Sequence, residues 1–344
     1  MSYPTPPDAS KSKLNKAGAL IASPSTGTLE ALEAQQLVDQ FRAAHTWPML
    51  TARVALDTRA KQVSPAALVV QRLKRMPSIV GKLEGGRIRD VASMQDIGGC
   101  RAIMPTIDDV RGLRKVYETP RKHRTFSFRL RNDYIDNPKT NGYRGLHFVG
   151  KYDSPKRPEY RGYCVELQFR TQLMHSWATA VEIVDTFAQA GLKASDPNSF
   201  DTDWDYFFSY ASAAMAIEEG APIPDKAPTS ARDVRKKLSD INGKRLVERI
   251  EQWSRTMDED LSVVPKGIYY ILSLDFENDS VEVKQYANAS AADQVYRQLE
   301  ADSSTSKDSV LVAGGNISQI KAAYPNYFID SGRFTAHMRR YTHG

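Results

Sequence analysis

The reading of this chain turns on residues 137–178, which run NPKTNGYRGLH at 137–147, YCVELQFRT at 163–171 and HSWA at 175–178. The first piece is rich in turn formers, with Pro138 followed by the pair Asn141-Gly142, which favours positive φ. It sets one aromatic, Tyr143, between two cations, Lys139 and Arg144. An aromatic face flanked by positive charge suits a nucleobase and its phosphates. The second piece alternates. Tyr163, Val165, Leu167 and Phe169 are expected to face a core, and Cys164, Glu166, Gln168 and Arg170 to share the opposite sheet face. A carboxylate, an amide and a guanidinium in a row make an unusual solvent surface and a plausible active-site floor.

Two upstream segments carry matching chemistry. VVQRLKRMPSIVGKLE, residues 69–84, places Arg72 and Lys74 on a strand and Ser78 and Lys82 on the helix after it. QDIGGCRAIM, residues 95–104, carries Asp96, Gly99 and Arg101, with Cys100 to Met104 reading as a strand. Taken alone, the first of these is a basic surface turn. Together with Lys139, Asn141-Gly142-Tyr143-Arg144, Leu146-His147, Glu166-x-Gln168-x-Arg170-Thr171 and Trp177-Ala178, the set resembles the synthetase domain of the RelA/SpoT family. Gly145 departs from the pattern, since many members carry Ser there, and loop stiffness is the property this touches.

The resemblance implies an α+β fold, a nucleotidyltransferase-like mixed sheet flanked by helices. It implies an enzyme, a pyrophosphokinase that transfers the β,γ-pyrophosphate of ATP to a ribose hydroxyl. In that reading Arg72 and Arg101 clamp adenine, and Lys74, Ser78 and Lys82 meet the triphosphate. Asp96 and Glu166 hold Mg²⁺ and are the catalytic carboxylates. Lys139, Asn141, Tyr143, His147 and Gln168 bind the acceptor. Two acceptors compete: the 3′ end of tRNA, as in the toxic small alarmone synthetases, and GDP or GTP. The C-terminal YPNYF, with Tyr324 and Tyr327, resembles an element of the fused toxin–antitoxin, CapRel-like branch. That implies a built-in antitoxin, autoinhibitory tyrosines and a phage protein as trigger; two core tyrosines at helical spacing are the plainer reading. An RNA-binding module with an inactive synthetase fold is the alternative of another class, and intact Asp96 and Glu166 argue against it.

Four parts are expected along the 344 residues: a flexible tail at 1–27, the pyrophosphokinase domain at 28–190, a loop and helical connector at 191–264, and a smaller C-terminal α/β regulatory domain at 265–344. Thr28 reads as the N-cap of a helix with Leu29, Leu32, Leu37, Val38 and Phe41 near one face. Thr106 and Asp109 form a capping box for a helix to Glu118. Residues 187–230 read as irregular around a short helix. Two strands are expected to turn at 277–279, and Ser290 with Asp293 to cap a helix.

Arg121, Lys122, His123, Arg124, Arg129 and Arg131 form the densest basic run, which fits an RNA backbone, the phosphates of an acceptor nucleotide or a charge-protected strand edge. The net charge of +6 is compatible with phosphate binding and with solubility alone. Two cysteines, Cys100 and Cys164, suit neither a disulfide framework nor a zinc site and read as buried thiols. Nothing reads as a membrane span or a secretory leader, so a cytoplasmic protein without membrane contact is expected; the sequence leaves the oligomeric state open, with a monomer favoured. There is no His-Asp dipeptide among the six histidines. Bifunctional members of the family use such a pair in a hydrolase, so this chain is expected to make its product and not degrade it.

Overall fold

The computed structural model describes residues 3–23, 28–119, 125–187, 200, 202–255, 269–275, 280–301, 307–313 and 331–343. Three helices come first: α1 (Lys11–Ile21), α2 (Leu29–Ala44) and α3 (Thr46–Val63). Then follow β1 (Leu68–Leu73), α4 (Met76–Glu84), β2 (Gly98–Met104), α5 (Ile107–Glu118), β3 (Phe126–Asp133), β4 (Leu146–Tyr152), β5 (Cys164–Thr171) and α6 (Gln172–Phe187). Next are α7 (Asp203–Glu219), α8 (Ala231–Asp240) and α9 (Gly243–Arg255). The C-terminal part holds β6 (Tyr269–Asp275), β7 (Ser280–Tyr286), α10 (Ala289–Ala301), β8 (Lys307–Ala313) and α11 (Gly332–Thr342).

Five strands form one mixed sheet in the order β1-β2-β5-β4-β3. β2 and β5 run parallel and the other pairs antiparallel. This is the α+β mixed sheet flanked by helices that the sequence implies. One face carries Val69, Cys100, Ala102, Leu146, Phe148, Val165, Leu167 and Phe169, all buried, and α3 and α5 pack against strands of this sheet. The strict alternation of β5 aims Glu166, Gln168 and Arg170 at the other face, where α6 lies. The capping box at Thr106 and Asp109 is present, and α5 ends at Glu118 as expected.

Several elements differ from the sequence reading. Residues 11–21 form a helix where a flexible tail is expected. Ser10 caps it, and Leu14, Ala17 and Gly18 are buried against α2 and the 91–94 segment. Thr28 does cap α2, accepting from the Ala31 N–H at 3.1 Å, but Leu29 and Leu32 are 73% and 53% exposed, so the buried stripe begins at Ala34. Cys100 is buried as expected, whereas Cys164 is only half-buried.

The segment read as irregular contains the 17-residue α7, with a Thr202–Asp205 capping box and a left-handed Gly220 at its end. Helices α8 and α9 are no mere connector. They pack with α6 and α7 around Trp177, Phe207, Phe208, Val234, Leu238, Val247 and Ile250. The small sheet, ordered β7-β6-β8, matches the strands read in the sequence. The helix after β7 is capped by Asn288, not Ser290: the Asn288 side chain accepts from the Ala291 N–H at 2.8 Å. α11 does not stay with that sheet. Phe334 and Met338 are buried among α7, α8 and α9, and Arg333 donates to Gln172 on α6 at 2.7 Å.

Candidate active site

Strand register builds the site. Residues paired across neighbouring strands point to the same face. One row across the sheet is therefore Arg72, Gly99, Glu166, Val149 and Arg129. The next is Val70, Arg101, Gln168, His147 and Asn132. Gly99 puts no side chain between Arg72 and Glu166, and that gap is the floor of a cavity. Arg72, Lys74, Asp96, Arg101, Glu166, Gln168 and Glu182 line it. Six of these seven are residues the sequence points to.

One wall is cationic. The Lys74 and Lys82 ammonium groups both reach Oδ2 of Asp96, at 3.1 and 2.5 Å. Burial pushes the Asp96 carboxyl up, but the two ammonium groups outweigh it and hold it below the usual carboxylate range. Burial lowers Lys74 despite its pairing with Asp96. Arg101 is lowered to about 10, by burial first and then by Arg170, with Glu182 opposing. Ser78 is half-buried in the first turn of α4 and is not among the residues that line the cavity.

The other wall is a hydrogen-bonded network. Nδ1 of His147 is 2.9 Å from Glu166 Oε1, and Gln168 Nε2 donates to Glu166 Oε2 at 2.8 Å. Nε2 of His147 lies 2.6 Å from the Tyr143 hydroxyl. Arg170 donates to that hydroxyl at 2.7 Å and to Gln168 Oε1 at 3.1 Å. Burial pushes Glu166 up, and its bonds with His147 and Gln168 bring it below the ordinary value. Burial lowers His147, and Tyr143 and Glu166 together raise it above the ordinary value. Burial raises Tyr143, but Arg170 and His147 bring it down to about 8.

The Tyr143 loop corrects one expectation. Arg144 does not flank the ring. Its side chain is 2% exposed and donates to Glu219 on α7 at 2.6 Å. The cations at the ring are Arg170, with Cζ 5.0 Å from the centroid, and Lys139, with Nζ at 5.5 Å. Lys139 sits closer, at 4.7 Å, to the ring of Tyr134. Asn141 shapes the turn, its side chain accepting from the Tyr143 N–H at 3.1 Å. Gly142, at φ +96°, is a fixed requirement: a Cβ there would meet Phe208 O at 2.9 Å in a backbone region that L residues rarely adopt. Ser212 donates to Gly142 O at 2.6 Å, so α7 clamps the loop from behind.

Sequence reasoning missed two acidic residues. Glu182 on α6 was within reach, since it follows Ala178 of the Trp177-Ala178 motif by one helical turn. Glu219 had no local signal, because its partner lies 75 residues away. Arg121, Lys122 and Arg124, and Tyr324 and Tyr327, lie outside the described residues. Among the described residues no helix is long and apolar enough to cross a membrane.

Residues 71–184 match a family model described as a region found in RelA / SpoT proteins. GTP pyrophosphokinase YjbM of Bacillus subtilis (strain 168) is 31% identical over 118 residues, 34% of this chain and 54% of that protein. GTP pyrophosphokinase YwaC of the same organism is 32% identical over 142 residues, 36% of this chain and 65% of that protein. The chain thus spans between half and two thirds of the length of these relatives. The crystal structure of small alarmone synthetase 1 from Bacillus subtilis bound to its product pppGpp aligns with a TM-score of 0.42 at 22% identity, over 60% of this chain and 99% of that one. Apart from Val70, the residues that line the cavity fall inside the matched segment, and residues 71–184 of this chain are similar to the region found in RelA / SpoT proteins.

Proposed function

We propose that this chain is a pyrophosphokinase, with ATP as donor and a ribose hydroxyl as acceptor. The observation that carries it is one cavity with cations on one side and the Glu166–His147–Tyr143 network on the other. Arg72 and Arg101 offer flat guanidinium faces to adenine. Lys74 and Lys82 offer charge to the triphosphate once it displaces them from Asp96. The acceptor oxygen attacks the β-phosphorus, the bond from that phosphorus to the α–β bridging oxygen breaks, and AMP leaves with that oxygen. The hydroxyl proton passes to the Glu166 carboxylate, which is held ionised and already faces polar partners. Lys74, Lys82 and Arg101 neutralise the charge on the group in transit.

The residues fit Mg²⁺. Asp96 and Glu166 are two ionised oxygen donors that line one cavity, the donor type a hard divalent ion takes. Two carboxylates leave coordination positions for phosphate oxygens. When bound, the ion supplies further neutralisation of the polyphosphate.

For the acceptor we propose the 3′ end of tRNA, in a self-inhibited toxin–antitoxin of phage defence. Its support is the basic run from Arg121 through Lys122 and Arg124 to Arg129 and Arg131. The last two are exposed on the edge strand β3, and Arg129 shares the row of Glu166. Tyr324 and Tyr327 would restrain the donor site until a phage protein engages the C-terminal part. A second reading, (p)ppGpp synthesis from GDP or GTP, is favoured by relatives named GTP pyrophosphokinase. Incubation of the parent and the Tyr324→Ala/Tyr327→Ala chain with γ-³²P-ATP and either total tRNA or GDP/GTP separates them, the released chain being the one expected to transfer label. Label on tRNA is the expected result; label on the guanosine nucleotide alone would transfer the assignment to the second reading.

A further inference from the structure

Arg42 lies outside the matched segment, near the C-terminal end of α2, and its side chain is only 2% exposed. Such a burial of charge is costly unless every arm of the group is met. Here each nitrogen has a partner. Nε donates to the Lys74 carbonyl at 2.7 Å, Nη1 to Asp39 Oδ1 at 2.8 Å, and Nη2 to the Tyr296 hydroxyl at 3.2 Å. The guanidinium also lies 5.4 Å from the Tyr296 ring centroid.

Lys74 is where this matters. It follows β1, two residues before α4 begins, between Arg72 on the strand and Lys82 on the helix. Its N–H donates to Ile97 O at 2.8 Å, beside Asp96, and its ammonium bonds Asp96 itself. Arg42 secures the remaining backbone group of the residue. Tyr296 comes from α10 in the C-terminal part, and β8 of that part lies against β1. The C-terminal part therefore meets the donor strand both along its edge and through one hydroxyl on this guanidinium.

We infer that Arg42 is a positioning residue for the donor nucleotide, holding the Lys74 backbone at the β1–α4 junction, and that the C-terminal part tunes this hold through Tyr296. A guanidinium can reach Lys74, Asp39 and Tyr296 at once because its five N–H groups form a rigid fork. A lysine offers one compact head on a flexible stem. The inference rests on the donor-site reading above.

The test uses the full chain and a non-hydrolysable ATP analogue, AMPCPP, titrated by calorimetry, with steady-state kinetics alongside. Arg42→Lys should weaken the analogue and raise the donor KM by about tenfold, one charge-assisted hydrogen bond's worth. The acceptor KM should stay within about twofold of the parent, since the acceptor side is built by Tyr143, His147 and Gln168 and not by Lys74. Tyr296→Phe, which removes only the hydroxyl, should weaken the analogue by about threefold. Val38→Ala, fully buried on the same helix, is the control: it should lower the melting temperature and leave analogue affinity unchanged. Unchanged affinity in folded Arg42→Lys overturns the inference. If that variant does not fold, unchanged affinity in Tyr296→Phe overturns it instead. Equal weakening by Val38→Ala also overturns it, because the effect would then be general loss of stability. If neither the parent nor the Tyr324→Ala/Tyr327→Ala chain binds the analogue, the donor-site reading beneath the inference falls, and the same substitutions at Arg42 and Tyr296 are read in whichever of the two chains binds it.

Discussion

Nδ1 of His147 and Oε1 of Glu166 lie 2.9 Å apart, on adjacent strands β4 and β5. This contact ties the cavity to the Tyr143 loop: Glu166 lines the cavity, and His147 reaches from it to the Tyr143 hydroxyl. The expected consequence is that Glu166→Gln abolishes transfer, by about 10³-fold or more, the scale seen on removing one transition-state contact. AMPCPP binding, which rests on Arg72, Arg101 and the lysines, should persist. Label transfer and calorimetry on the same preparation check both halves, and residual turnover near the parent's would remove Glu166 from the mechanism.

Tyr143→Ala should damage acceptor use far more than donor affinity. Its ring lies beside Arg170 and its hydroxyl bonds both Arg170 and His147, so the loss combines a stacking face with a network member. Stacking alone is worth roughly 1–3 kcal/mol. Tyr143→Phe retains the face and should recover much of the acceptor KM. Equal acceptor kinetics in parent and Tyr143→Ala would exclude the stacking role.

Arg144→Met tests the clamp behind that loop. The substitution strands the Glu219 carboxylate, about 3–5 kcal/mol for a broken buried pair. Denaturant titration should show that loss. Glu219→Gln with Arg144→Met should recover part of it, since no buried charge is then left over. A single variant as stable as the parent would show that the pair is not needed by the fold.

Stability should fall on mild acidification through His45. Burial drives its pKa from 6.5 to about 4, against bonds with the backbone of Phe41 and Arg42. Between those values the unfolded chain binds a proton that the native state refuses. This contribution is complete above pH 6.5 and is lost as pH falls towards 4. Moving from pH 7 to pH 5 should cost about 2 kcal/mol from this residue. Chemical denaturation of the parent and His45→Gln at both values measures it; parallel losses in the two chains would mean His45 does not titrate this way.

The parts of the site that were legible in the sequence were those set by period two. Once β5 is a strand, Glu166, Gln168 and Arg170 must share a face, and Arg72 and Arg101 join them because β1 and β2 alternate too. What sequence adjacency could not show is which way a loop residue turns. Arg144 follows Tyr143 directly, yet Gly142 and Gly145, both at positive φ, swing it into the core. α7 was obscured for another reason. Phe207, Phe208, Tyr210, Ala211, Ala213 and Met215 are buried on all sides, so the segment lacks the one-sided stripe by which a surface helix is recognised. Its Thr202–Asp205 capping box was there to be read. The N-terminal helix was hidden by tail-like composition, although Ser10 supplied a cap and Gly18 a close approach to Val91.

The central claim is that a pyrophosphoryl group, not a single phosphoryl group, leaves ATP in this cavity. The direct measurement is the nucleotide by-product, resolved by ion-exchange chromatography after incubation of the full chain with ATP, Mg²⁺ and either acceptor. If Tyr324 and Tyr327 restrain the site, the Tyr324→Ala/Tyr327→Ala chain is the one to use. The account predicts AMP in equal amount to labelled acceptor, both absent in Glu166→Gln. ADP with inorganic phosphate, or labelled acceptor without AMP, would contradict it.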